Sequence, residues 1–214
     1  MRCCLNLMMG VLAVSASGCF LASPTSFEQN VPAEFKVARA LPGRLAVIVQ
    51  GGPDNQTRQR FSDILLRELE SKAGMRKNRL VPTSQIDALR RQDEHAYLGM
   101  TSSQIGAAVG VDTVLVVRIM NYSLYPLPLD SYYDCSITVS AMLVDVPSGT
   151  IVWPQDGVSR QVQLVLETQR GDAATVGARM LALAAHGVVR YLYDCPKRNF
   201  RVRGEKRGNV WDEY

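Results

Sequence analysis

The side chains that could perform catalysis or bind a metal are few and scattered along the chain. His95 and His186 are the only histidines, and the sequence contains no HExxH, Cys-x-x-Cys, Gly-x-Ser-x-Gly or Walker phosphate-loop motif. Asp130, Asp134 and Asp145 are carboxylates near predicted strands, but a general acid and base need a closeness that their spacing does not provide. We therefore predict a protein that is not an enzyme and has no metal or cofactor. The alternative is an enzyme of unrecognised type that uses Asp134 or His95.

Cys19 ends a segment with the composition of a secretory signal peptide. One positive charge precedes an apolar run over residues 5–14, which is too short to span a bilayer, and small residues occupy 16–18. This arrangement resembles the bacterial lipobox, in which the cysteine thiol receives a diacylglycerol and becomes the first residue of the mature protein, although Ala16 stands where that motif prefers Leu. We expect a signal peptide over residues 1–18 and lipidation of Cys19. Plain secretion to the periplasm and a buried N-terminal helix are the alternatives.

The remaining sequence divides into three parts. Residues 19–43 lack periodicity and contain three prolines, which predicts a flexible tether. Residues 44–195 have the length of one ordinary domain. Residues 196–214 form a basic tail that includes Phe200 and Trp211. We interpret the tail as a disordered end, and alternatively as a segment that lies on anionic lipid or binds an anionic polymer. Because charges of both signs mix elsewhere, we expect no nucleic-acid partner.

Two cysteines, Cys135 and Cys195, would remain after the leader is removed. Each ends a Tyr-Asp-Cys tripeptide, and an exported protein meets an oxidising compartment. They form a candidate disulfide, which would close a loop of about 60 residues and could stabilise the fold by about 4 kcal/mol. Two separate thiols are the alternative, since the spacing of cysteines does not fix their geometry.

The segment NYSLYPLPLDSYYD, residues 121–134, is rich in tyrosine and lies between two predicted strands. Tyr122, Tyr125, Tyr132 and Tyr133 provide large contact areas at modest entropic cost, and the prolines stiffen the loop. We predict that these four tyrosines form a partner-binding edge. The alternative is that they cover the end of the sheet within the same molecule.

The hydrophobic pattern predicts the order strand, helix, strand, helix, helix, strand, long antiparallel hairpin, helix. The run RLAVIVQGG predicts a buried strand that ends at glycine, and CSITVSAMLVDV alternates as one arm of the hairpin. A final amphipathic helix begins near Asp172. This order indicates an α/β (α+β) sandwich with a mixed sheet, an antiparallel hairpin and helices mainly on one face.

Two segments resemble a group of bacterial envelope lipoproteins. SQIGAAVGVDTVLVVRI, residues 103–119, resembles their helix, Gly-Val-Asp turn and strand, and LVDVPSGTIVWPQDGVSRQV, residues 143–162, resembles their hairpin. The group includes the curli-export lipoprotein, the lipoprotein activators of penicillin-binding proteins and the N-terminal domain of the Tol-system beta-propeller protein. The resemblance covers about residues 44–193. It implies a fold that binds proteins or assembles into a ring and has no catalytic centre.

The expected function is that of a non-catalytic protein-binding or assembly factor in the bacterial cell envelope. We expect the chain to be held by the lipid on Cys19, at the periplasmic face of the outer membrane. The expected partners are envelope proteins, the membrane itself and, as a further possibility, other copies of the chain. An envelope enzyme and a module that binds an anionic polymer are the alternative functions.

Overall fold

The computed structural model describes residues 29–206, which form a mixed α/β fold. Within this range the strands are Asn30–Val31 (β1), Leu45–Gly51 (β2), Thr113–Pro126 (β3), Tyr132–Asp145 (β4), Ile151–Trp153 (β5), Arg160–Arg170 (β6) and Cys195–Pro196 (β7). The helices are Val37–Ala40 (α1), Asn55–Ser71 (α2), Thr83–Gln92 (α3), Glu94–Gly99 (α4), Ser102–Ala108 (α5), Ala173–Val189 (α6) and Lys197–Phe200 (α7), with 3-10 turns at Lys77–Arg79 and Arg190–Leu192.

The main sheet is mixed, as the sequence predicts. β2 pairs with β3 in parallel, and β4 pairs with β5 and β6, which form the returning arm of the predicted hairpin. β3 and β4 form a second long antiparallel hairpin, which the sequence pattern does not predict. β2 is apolar along its length because both of its faces are covered: Val47 and Val49 point to one core, Ala46 and Ile48 to another.

The two long helices, α2 and α6, pack on one face of this sheet. α2 buries Phe61, Leu65 and Leu69, and the buried stripe of α6 includes Val176 and Met180. The three short helices α3, α4 and α5 pack against the opposite face of β2 and β3. The predicted fold class is confirmed, and none of the helices within residues 29–206 is long and apolar enough to cross a membrane.

The predicted tether over residues 19–43 is wrong for residues 29–43, which pack on the domain. Val37 and Leu41 are buried in the main core because they lie one helical turn apart and face the same way. Glu34 accepts hydrogen bonds from Trp153 Nε1 at 3.0 Å and from Arg160 Nε at 2.8 Å. Residues 19–28, like the predicted signal peptide, lie outside the described residues.

The prediction of a disordered basic tail is wrong for residues 196–206. Val202 is buried, and Val165 of β6 donates its N–H to the carbonyl oxygen of Gly204 at 2.8 Å. The guanidinium of Arg190, which is 2% exposed, pairs with Glu205 and donates to the carbonyl oxygen of Phe200 at 2.5 Å. The segment is therefore held by backbone pairing and by a buried ion pair, and residues 207–214 lie outside the described range.

The predicted disulfide between Cys135 and Cys195 is not formed, because the fold separates the two thiols. Cys135 lies on β4 of the main sheet, opposite Leu166 of β6, whereas Cys195 lies in the separate β1–β7 ribbon, opposite Val31. Both thiols are free and buried. The Cys135 thiol donates to the carbonyl oxygen of Leu166 at 3.7 Å, and the Cys195 thiol to the hydroxyl of Tyr193 at 3.3 Å.

Candidate functional site

The β3–β4 hairpin extends beyond its neighbour β2. β2 ends at Gly51, which has a φ of 72° and lies so close to β3 that a Cβ would be 2.4 Å from the carbonyl oxygen of Ile119. The chain then turns into α2, which Asp54 caps by accepting a hydrogen bond from the N–H of Thr57. Residues 120–126 of β3, here called the hairpin edge, therefore have a strand neighbour on only one side among the described residues.

Large apolar side chains project from this region. Met120 is the extra residue of a β-bulge, because Ile119 lies opposite Val139 while Asn121 lies opposite Thr138. Its side chain is 61% exposed, and that of Tyr125 is 65% exposed. The hairpin edge thus combines exposed apolar area with a strand that, among residues 29–206, is paired on one side only.

The four predicted tyrosines do not form one surface. Tyr122 and Tyr133 pack against the core under the long helices, and burial, assisted by the charge of Asp54, raises the pKa of the Tyr122 hydroxyl. Tyr125 and Tyr132 alternate with them and therefore point to the opposite face of the sheet. Of the predicted set, only Tyr125 is fully exposed, while Tyr132 is half-buried opposite Arg170.

Two of the three carboxylates considered as catalytic candidates accept hydrogen bonds from the backbone of turns and bulges. Asp134 accepts a hydrogen bond from the N–H of Thr168 at 2.7 Å, where Thr168 has a φ of 51° at an irregularity of β6. Asp145 accepts from the N–H of Ser148 at 3.0 Å in the turn before β5. The two aspartates lie at opposite ends of β4. Within residues 29–206, no three His, Cys, Asp or Glu side chains are grouped to hold a metal.

The histidines lie in different parts of the molecule. His95 is on the exposed surface of α4. His186 on α6 lies between two other elements: its Nδ1 is 3.5 Å from Glu68 Oε2 of α2, and its Nε2 is 2.8 Å from the carbonyl oxygen of Asn199 in α7. This position joins two helices to the C-terminal segment.

A groove of about 590 Å³ runs between α2 and α3. Leu66, Leu80 and Val81 contribute to its apolar lining. Two hydrogen bonds link the helices beside it, from Thr83 Oγ1 to Asp63 at 2.6 Å and from Gln59 Nε2 to Asp87 at 2.5 Å. None of the residues predicted as functional from the sequence lines this groove.

Exposed basic side chains line the described part of the C-terminal segment. We call this set the terminal basic surface, and it comprises Lys197, Arg198, Arg201, Arg203 and Lys206. It begins where the chain enters the domain, because the N–H of Lys197 donates to the carbonyl oxygen of Gln29 at 2.8 Å.

Comparison with protein-family models and with curated proteins gives no match. Similar solved structures include lipoprotein GNA1162 from Neisseria meningitidis, which is 16% identical with a TM-score of 0.47 and is matched over 69% of this chain and 99% of that chain. One similar structure is thus a bacterial lipoprotein. The PelC dodecamer from Paraburkholderia phytofirmans is 15% identical with a TM-score of 0.41, over 77% of this chain and 94% of that chain. Protein XCC0632 from Xanthomonas campestris is 12% identical with a TM-score of 0.41, over 69% and 82% of the respective chains. Because these sequence identities and TM-scores are low, the similar structures do not identify functional residues in this chain.

The sequence alone does not predict the exposure of Met120 or the buried contacts of Arg190. Met120 lies within an apolar strand pattern, and it is exposed because the core under the short helices covers only Val114 and Val116 on that face of β3. The burial of Arg190 has a weak signal, since an arginine directly follows the apolar pair Val188-Val189 at the end of α6. Its acceptors in residues 200–205 cannot be identified from spacing alone.

Proposed function

We propose that this protein is an exported bacterial lipoprotein, anchored through Cys19 at the periplasmic face of the outer membrane, that binds partner proteins as a non-catalytic accessory or assembly factor. The observation that carries the proposal is the hairpin edge, where Met120 and Tyr125 are exposed on a strand that is paired on one side only among the described residues. The composition of residues 1–18 and the position of Cys19 support export and anchoring.

The unpaired side of β3 offers backbone N–H and C=O groups to an extended segment of another protein. Such pairing adds a strand to the sheet, and side chains next to the edge provide specificity. Soluble proteins commonly protect such an edge with charged residues, but MNYSLYP, residues 120–126, contains none and has its proline only at the end. A strand edge without charged residues favours pairing with an extended segment of another protein.

The exposed side chains suit this role chemically. Tyr125 supplies a large and rigid contact area with a polar hydroxyl, and Met120 supplies an adaptable apolar one. Tyr122 and Tyr133, which pack inward, instead support the hairpin from below. We therefore assign the contact to Tyr125 and Met120, and retain Tyr132 as a half-buried neighbour.

The test begins with a photoreactive amino acid in place of Ser123, which lies between the two contact residues on β3. Crosslinking in cells and mass spectrometry identify the captured protein, and its affinity is then measured with purified components. Truncation of central contact residues typically weakens binding by more than about 1 kcal/mol each. Met120→Ser with Tyr125→Ser should therefore weaken binding by at least about 10-fold.

The matched control removes exposed apolar side chains elsewhere. Leu98 on α4 and Val158 before β6 are as exposed as the contact residues, so Leu98→Ser with Val158→Ser should leave the affinity unchanged. Equal affinity of both double variants and the unaltered chain would contradict the proposed contact. Light scattering distinguishes a second copy of the chain from a different partner.

A further inference from the structure

The two ends of the described chain meet at one place on the domain. β1 and β7 form a two-stranded antiparallel ribbon in which Asn30 lies opposite Pro196 and Val31 lies opposite Cys195. The adjoining hydrogen bond from Lys197 to Gln29 continues this pairing. The N-terminal chain therefore enters the domain beside the first residue of the terminal basic surface.

This region has a net positive charge, and most of its basic side chains are exposed. Residues 29–40 and 193–206 contain seven Lys or Arg and three Asp or Glu. Each of the three acidic residues is engaged by a basic one: Asp194 with Lys36 at 2.6 Å, Glu34 with Arg160 at 2.8 Å, and Glu205 with the buried Arg190. Hence internal pairing neutralises the acidic side chains, while the five members of the terminal basic surface are exposed.

The chain length between Cys19 and Gln29 limits how far this surface can be from a lipid anchor. Gln29 is ten positions after Cys19. An extended chain spans at most about 3.6 Å per position, so this segment reaches at most about 36 Å. A lipid on Cys19 would thus hold the entry point of the chain, with its basic neighbours, within this distance of the bilayer surface.

We infer that the terminal basic surface binds anionic phospholipid headgroups of the membrane that holds Cys19, an inference that rests on the proposed lipidation. Arginine and lysine suit phosphate groups, and basic residues beside an acyl anchor act as a second membrane signal. A soluble anionic polymer could use the same charges, but the placement beside the anchored end of the chain favours the bilayer. The domain would then lie with the β1–β7 ribbon toward the membrane.

The experiment measures vesicle binding of the chain from residue 19 onward, carrying Cys19→Ser so that no lipid can attach. Vesicles of phosphatidylcholine with 30% phosphatidylglycerol are compared with vesicles of phosphatidylcholine alone by co-sedimentation. We expect binding to the anionic vesicles only, weakening as salt is raised. Arg201→Glu, Arg203→Glu and Lys206→Glu together should weaken it by about 100-fold, or about 5-fold for each basic side chain replaced.

A matched control carries the same change of charge elsewhere on the domain. Arg60→Glu, Arg118→Glu and Arg170→Glu alter exposed arginines, and this triple variant should bind the vesicles as the unaltered chain does. Thermal unfolding checks that both variants are folded.

Three results would overturn the inference. The first is that the chain does not bind anionic vesicles, and the second is that both triple variants weaken binding equally. The third is that the chain binds soluble polyphosphate as tightly as the vesicles and loses this binding in the variant of Arg201, Arg203 and Lys206, which would assign the surface to a polymer. Lipidation itself is tested separately by the intact mass of the protein from membranes, so failure of the anchor and failure of this surface are distinguishable.

Discussion

Removing the carboxylate of Glu205 should destabilise the whole domain, because it would leave the charge of Arg190 buried without its partner. Arg190 Nη1 donates to Glu205 Oε2 at 2.7 Å and Nη2 donates to Oε1, and the two side chains are only 2% and 10% exposed. Burial acts to lower the pKa of Arg190, but its hydrogen bonds to Glu205 and Tyr191 and their charges raise it above its ordinary value. Arg190 therefore remains charged in the folded domain.

The magnitude follows from what remains around the guanidinium in Glu205→Gln. Breaking a buried pair by removal of one partner costs about 3–5 kcal/mol of unfolding free energy. Arg190 would keep the carbonyl oxygen of Phe200, the hydroxyl of Tyr191 and its stacking over both aromatic rings. We therefore expect the lower value, about 3 kcal/mol. For a domain of this size it corresponds to a fall in Tm of about 6–12 °C.

Urea unfolding followed by circular dichroism measures this difference, with Lys36→Met as the control. Lys36 and Asp194 form an exposed pair, with side chains 45% and 42% exposed, so the control should cost less than about 1 kcal/mol. Replacing both partners, by Arg190→Met with Glu205→Leu, should recover most of the stability because no charge remains buried. The reasoning is refuted if Glu205→Gln costs no more than Lys36→Met.

Two further predictions concern helix packing and pH. Gly187→Ala should lower the unfolding free energy by about 1–3 kcal/mol, because the new Cβ would lie 2.7 Å from Val162 Cγ1. Gly99→Ala, with no atom within 4 Å, is its control in the same urea titration, and equal stability of the two variants would contradict the packing argument. Asp194→Asn should cost about 0.2–1 kcal/mol at pH 7, since the hydrogen bonds from Lys36 and from the N–H of Ala33 lower the pKa of Asp194. Because the pKa is lowered, the carboxylate stabilises the fold above the ordinary aspartate pKa of 3.8, and the difference from the unaltered chain should shrink as pH falls below that value; a difference that does not change with pH would disprove the prediction.

The features predicted correctly from the sequence depend on residues close together in the chain. The apolar run before Gly51 specifies a buried strand because it is short, rich in β-branched residues and bounded by glycine. Alternation over residues 135–146 specifies a strand because successive side chains of a strand point to opposite faces. These signals determined the fold class, whereas the second strand of the predicted order is only an isolated bridge between Leu45 and Leu80.

The features that only the tertiary structure decided depend on contacts between distant residues. β1 pairs with β7 across more than 160 positions, which turns residues predicted as tether and tail into parts of the domain. The bulge in the register of β3 on β4 places Tyr122 on the face covered by the long helices and Tyr125 on the opposite face, and the thiols of Cys135 and Cys195 are separated because they belong to different sheets. Spacing along the chain carries no information about such pairings, because the energy of each arises only when the sheet and helices have packed together.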